Sequence, residues 1–103
     1  MLDPSSCYDT YADALRVGRV LDELDFYWYE DPLMDTGDSV YAMRRLAAEL
    51  DTPLLGLEHS RTEPFGVVNH LMDDACDMVR MDAGHGGGIT GAMKVAHAAE
   101  AAG

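Results

Sequence analysis

Lysine is almost missing from this sequence. Lys94 is the single one, beside six arginines, while Asp and Glu together number 19 and the net charge is −12. A chain so poor in cations has no basic face for phosphates, which argues against nucleic acid as a partner. Cysteine is scarce too. Cys7 and Cys76 stand far apart with no C-x-x-C pair, so both are expected as small buried hydrophobes in a reducing compartment rather than as a disulfide scaffold. No apolar run approaches the roughly 20 residues of a membrane span, and no basic segment leads an apolar one near the N-terminus. Neither a membrane partner nor a secretory signal is therefore expected, and the location implied is the cytoplasm. The four histidines, His59, His70, His85 and His97, are scattered and offer no zinc spacing.

What the sequence has in excess is carboxylate. Thirteen of the acids are Asp. Surface carboxylate with little Lys keeps a protein soluble in strong salt, where its self-repulsion is screened. Adaptation to a salty cytoplasm and an acidic protein from an ordinary cell both fit. The hydrophobic fraction of 48% is that of a globular chain, and 103 residues make one domain or part of one.

Four apolar stretches each stop on an acid: residues 1–3 on Asp3, 26–30 on Glu30, 54–58 on Glu58 and 78–82 on Asp82, spaced 27, 28 and 24 apart. They read as short strands. Residues 26–30 are apolar without alternation, as in a parallel sheet covered on both faces. Asp31-Pro32 ends that strand, because proline has no N–H for the ladder. Between the strands lie helices. Asp9 or Thr10 caps the first, which runs to about Leu24 with Ala14, Val17, Leu21 and Leu24 on one stripe. Gly18 within it permits close packing. After a loop through residues 34–37, the second helix covers about 38–50 with Val40, Met43, Ala47 and Leu50 inward. The third follows Thr62 as cap and Pro64 in its first turn, with Phe65, Val68, Met72 and Ala75 inward. A flexible loop at 84–88 leads to the last, about 90–102.

Strand, loop and helix thus recur four times with a period of about 26 residues. Strands joined by single helices run parallel with right-handed crossovers. Two architectures use such units, a doubly wound sheet and a (β/α)8 barrel. Acids at four successive strand ends favour the barrel, where function gathers at the C-terminal face. A full barrel takes about 250 residues, so an α/β fold of four βα units, a partial TIM barrel, is expected. Such a piece leaves two open sheet edges; it is expected as a fragment or a half that pairs with something.

Carboxylates that converge repel each other unless a cation stands between them. Oxygen donors alone suit a hard ion such as Mg²⁺. The competing reading is that each acid caps a helix or pairs with Arg.

The order Leu2-Asp3, Tyr29-Glu30-Asp31-Pro32, Gly56-Leu57-Glu58, Asp82 and then Gly86-Gly87-Gly88-Ile89-Thr90-Gly91 resembles the enolase superfamily. It is similar to the C-terminal barrel of the mandelate racemase and muconate lactonizing enzyme group, over essentially the whole chain. The resemblance implies that residues 1–103 are the third to sixth βα units, without the group's N-terminal capping domain. It implies Asp3, Glu30 and Glu58 as Mg²⁺ ligands. The ion would bind a substrate carboxylate and stabilise the enediolate formed when the adjacent proton is removed. Asp82 matches an acid that orients a catalytic His on the next strand.

The implied lysine base and that histidine both fall outside these residues, and Lys94 lies too deep in a helix to replace them. The chain by itself is expected to bind metal weakly and to catalyse little. His59 and His85 are candidates for contact with substrate, and Arg61 for contact with its carboxylate or for balancing nearby acids. Ser5 is a polar neighbour of Asp3 or a plain turn residue. The glycine run lacks the G-K-S/T ending of a phosphate cradle. Phe26, Tyr27, Trp28 and Tyr29 are expected in barrel packing. By analogy with the group, the parent is expected as a sugar-acid dehydratase, a lyase that binds a small carboxylate substrate and assembles as a homo-oligomer. Racemisation, epimerisation and cycloisomerisation on the same metal enolate are the alternatives. Two further classes are a non-catalytic half-barrel and a doubly wound nucleotide binder.

Overall fold

A computed structural model describes residues 1–34, 39–58 and 61–103. The described elements are helix α1 (Tyr11–Glu23), strand β1 (Tyr29–Glu30), helix α2 (Val40–Glu49), strand β2 (Leu54–Gly56), helix α3 (Pro64–Met72), strand β3 (Met78–Val79) and helix α4 (Gly88–Ala102). The sheet has the order β1-β2-β3 and is parallel throughout, with Glu30 opposite Leu55 and Leu55 opposite Met78. Leu2 joins the outer side of β1 in a single parallel pairing with Tyr29. Its N–H donates to the Trp28 carbonyl and its carbonyl accepts from the Glu30 N–H. The chain is therefore α/β, with strands shorter than the apolar stretches that announced them.

Local chemistry explains where the helices start. The Thr10 hydroxyl accepts the Asp13 N–H at 3.2 Å, and the Ser39 hydroxyl accepts the Ala42 N–H at the same distance. Gly18 faces inward on α1, and a Cβ there would stand 2.4 Å from a Leu50 methyl carbon. Helices α1 and α2 pack together through this gap. Ala14, Leu21, Met43 and Leu46 from these helices and Leu50 at the C-terminal cap of α2 meet Tyr29 and Leu54 from the sheet, with Ala75 and Cys76 closing the cluster. A second, smaller cluster joins Leu57, Val67 of α3 and Val95 of α4.

Several expectations change. The inward face of α3 is Gly66, Val67 and His70, while Phe65 and Met72 are exposed at 79% and 68%. This helix is apolar nearly all round, so period alone could not choose the buried arc. Gly66 decides it: a Cβ there would lie 2.8 Å from the Arg61 carbonyl oxygen. Thr62 is not the cap. Glu63 holds that position without a side-chain bond, and the Thr62 hydroxyl turns to the His85 carbonyl. Leu24 lies beyond the last turn of α1 and is exposed. Cys76 is buried but Cys7 is exposed, just after two residues of left-handed backbone, Ser5 and Ser6. Of the aromatics, Tyr29 is fully buried and Tyr27 is exposed. The run at 84–88 is a series of hydrogen-bonded turns, with His85 and Gly86 N–H groups on the Asp82 carbonyl and the Gly88 N–H on that of Ala83. Residues 35–38, which cover most of the expected loop and the expected first residue of the second helix, lie outside the described residues.

Candidate functional site

Side chains alternate along a strand, so neighbours in register share a face. Tyr29 points into the larger core, and Glu30 therefore points to the other face, beside Leu55 and Met78. Arg80 follows two residues after Met78 and falls on that same face. Trp28, two before Glu30, does likewise. The result is a polar constellation where the strands finish. Glu30 as a residue is only 5% exposed. Its Oε2 accepts the Trp28 indole N–H at 3.1 Å, and its Oε1 accepts a short hydrogen bond from the Arg80 guanidinium. The same guanidinium donates to Glu58 Oε1 at 2.5 Å.

Asp31 sets the position of Glu58. Its Oδ1 accepts the Leu57 N–H at 2.7 Å and its Oδ2 the Glu58 N–H at 3.1 Å. Both Asp31 and Leu57 have left-handed backbone, with φ of 34° and 82°. For leucine this conformation is unfavourable and needs outside support. A carboxylate that takes two successive N–H groups provides it, and turns the chain after β2 so that Glu58 faces Glu30. One oxygen from each of Glu30, Asp31 and Glu58 lies within 4.8 Å of the others.

One guanidinium answers these three acids. Burial by itself would lower the Arg80 pKa. The Glu30 hydrogen bond and the charges of Glu30, Glu58 and Asp31 outweigh that and raise it, so the side chain stays charged at any working pH.

The structure brings together two of the acids expected as ligands, Glu30 and Glu58. It pairs both with an Arg, as the competing reading had it. Asp3 has a different arrangement. The Leu2–Tyr29 pairing sets position 3 beside position 30 on the same face of the sheet, but the Asp3 side chain is exposed and its Oδ1 accepts the Ser5 N–H at 2.8 Å. Asp82 stands apart from the three, with Oδ1 on the Gly84 N–H and Oδ2 3.9 Å from His85 Nδ1. His85 is largely exposed, and His59 lies outside the described residues.

Two residues of this cluster carry little signal in the sequence. Asp31, followed by Pro32, reads there as a strand terminator. Arg80 is hidden inside an apolar run; a lone cation two places before a strand-end acid is the available signal. The donor set fits a hard ion. Every donor is a carboxylate oxygen, and the most buried one, Glu30, is held in orientation by the Trp28 N–H.

Residues 1–103 match the model of the enolase C-terminal domain-like family. Arabinonate dehydratase of Saccharolobus solfataricus is 32% identical over 104 residues, covering 99% of this chain and 26% of that protein. The crystal structure of D-glucarate dehydratase from Agrobacterium tumefaciens complexed with magnesium superposes with a TM-score of 0.84 at 34% identity, over 91% of this chain and 24% of that one. Muconate cycloisomerase from Pseudomonas fluorescens superposes with a TM-score of 0.86 at 26% identity, over 98% and 27%. The chain thus spans about a quarter of the length of these relatives. With the whole sequence matched and parallel strands finishing on a cluster of carboxylates, the chain belongs to the enolase C-terminal domain-like family.

Proposed function

We propose that residues 1–103 are four consecutive βα units, the third to the sixth, of a (β/α)8 barrel in a magnesium-dependent enzyme that dehydrates a sugar acid. The observation that carries this reading is the approach of Glu30 and Glu58 at the finishing ends of neighbouring parallel strands. That is the end of a barrel sheet where active sites are built. The chemical class follows the relatives, of which the arabinonate and D-glucarate dehydratases act on acid sugars by name.

In this reading Glu30 and Glu58 hold the ion, and Asp3, in register beside Glu30, is the third ligand. When bound, the ion supplies positive charge that steadies a substrate carboxylate as the neighbouring carbon loses its proton. The chain's own residues prepare the seat. Trp28 fixes the orientation of Glu30 and Asp31 fixes the backbone that carries Glu58. Asp82 would orient a histidine supplied from elsewhere in the barrel, and His59 and His85 would contact the substrate. Loss of a proton at the carbon next to the carboxylate and of hydroxide at the next carbon gives an enol, which becomes a keto acid. We place the enzyme in the cytoplasm as a homo-oligomer; no described helix is long and apolar enough to cross a membrane.

Titration of the chain with Mn²⁺, followed by paramagnetic resonance, tests the ligands. Glu30→Gln and Glu58→Gln should each weaken binding about a hundredfold while the circular dichroism spectrum stays unchanged. Variants that bind as the parent does would refute the assignment. Muconate cycloisomerase supports a second reading, isomerisation on the same metal seat. A screen of acid sugars with the full-length enzyme separates the two, because dehydration alone forms a keto acid that semicarbazide traps.

A further inference from the structure

We propose that Arg80 is an internal counter-ion that keeps the metal seat closed: its guanidinium binds Glu30 and Glu58 when no divalent ion is present and leaves them when one binds. The inference rests on the reading of Glu30 and Glu58 as ligands and adds the residue that regulates them.

The atoms coincide. Glu30 has two carboxylate oxygens; Trp28 takes Oε2, and Oε1 accepts from Arg80. The Glu58 oxygen that bonds Arg80 is likewise its Oε1. An ion held by the two glutamates would meet a guanidinium already within hydrogen-bond range of both. Two cations in so small and partly dry a space repel strongly. Arg80 cannot escape by losing its proton, because arginine stays charged. It has to move.

The surroundings allow that. The Arg80 side chain is 36% exposed, against 7% for Glu30, and it sits just beyond the last residue of β3. Its long stem can swing toward water while Glu30 stays in place. The pairing has its own use without an ion, since a buried carboxylate left without a cation is strongly destabilising. Arg80 therefore stabilises the ion-free protein and competes with the ion for the same two carboxylates. Only the fraction of molecules with Arg80 withdrawn is competent to bind, and the apparent affinity falls by that fraction.

The test uses the whole 103-residue chain, with Mn²⁺ and Mg²⁺ as probes. Arg80→Met keeps the stem and removes the charge. It should bind Mn²⁺ about ten- to a hundredfold more tightly than the parent. Without an ion it should melt at a lower temperature, and saturating Mg²⁺ should raise its melting temperature more than the parent's. In the parent, the nitrogen resonances of the Arg80 guanidinium should shift and exchange faster with water as Mg²⁺ is added, which needs no variant. Equal Mn²⁺ affinity in parent and variant overturns the proposal and leaves the ligands standing. Guanidinium resonances unmoved by saturating Mg²⁺ overturn it in the same way, even if the variant fails to fold. If neither protein binds Mn²⁺, the ligand assignment falls and the counter-ion role falls with it.

Discussion

Where the strands begin, acids meet backbone. Asp22, at the end of α1, accepts the Thr52 N–H at 2.7 Å, and Asp77 accepts the Leu54 N–H at 2.8 Å. Each carboxylate has its own donor, and both donors lie at the start of β2. Where the strands finish, acids meet each other: Glu30, Asp31 and Glu58 crowd within 4.8 Å, and one arginine is shared between two of them. The same residue type does opposite work at the two ends of one sheet. An acid on a backbone N–H is satisfied by folding alone. Acids gathered at one point store unfavourable charge that a ligand can relieve. Stability is expected from the first arrangement and binding from the second, in line with the division of labour between the two faces of a barrel.

Asp31 is the residue on which this comparison breaks most easily, because it belongs to both kinds. It lies among the crowded acids yet bonds two backbone N–H groups. Asp31→Ala should lower stability by about 3 kcal/mol, since two partly buried N–H groups lose a charged acceptor and Leu57 loses the support for its left-handed backbone. Mn²⁺ affinity should fall about tenfold as Glu58 moves away. Urea melts and Mn²⁺ titration of the same sample check both. A stability loss with unchanged ion binding would class Asp31 with Asp22 and Asp77 and narrow the binding end to the two glutamates.

Asp22 sharpens the other side. Burial alone would raise its pKa, but hydrogen bonds from the Thr52 side chain and from the backbone N–H groups of Thr52 and Asp51 lower it below the usual carboxylate value. A depressed carboxylate contributes stability that is present above the unfolded pKa of about 4 and is lost as pH falls through the folded value. Asp22→Asn should cost about 1 kcal/mol near neutral pH. It should also flatten the acid limb of the stability curve below about pH 4, and leave Mn²⁺ affinity as it was. Denaturant melts between acid and neutral pH measure the first two. A change in ion binding would mean that the two ends are not independent.

The smallest effect concerns the molecule as a whole. A net charge of −12 repels itself, and raising NaCl from about 0.1 to 1 M shortens the screening length from roughly 10 to 3 Å. The melting temperature should rise by a few degrees, about what 1 kcal/mol does in a domain this size. Calorimetry across that range decides whether the acid surface is matched to salt; a falling melting temperature would argue against it.

Much of the frame was legible in advance. Four apolar stretches and the helical stripes between them marked the order of units, Thr10 marked the start of α1, and Gly18 marked a close approach that Leu50 fills. These features depend on neighbours in sequence or on one missing side chain. The inward arc of α3 was not legible, since Phe65, Val68 and Met72 make as good a stripe as Gly66, Val67 and His70, and only the Arg61 carbonyl and α4 choose between them. Nor was the pairing of Arg80 with acids 50 and 22 residues away.

Composition and periodicity were enough to specify a parallel α/β chain with acids where its strands finish, because those properties follow from propensity, spacing and the chemistry of single residues. Which carboxylates meet, which turns back to its own loop, and which cation stands between them were settled by strand register and by the turn that Asp31 holds. Those contacts link residues far apart along the chain, and their geometry exists only once the strands lie side by side.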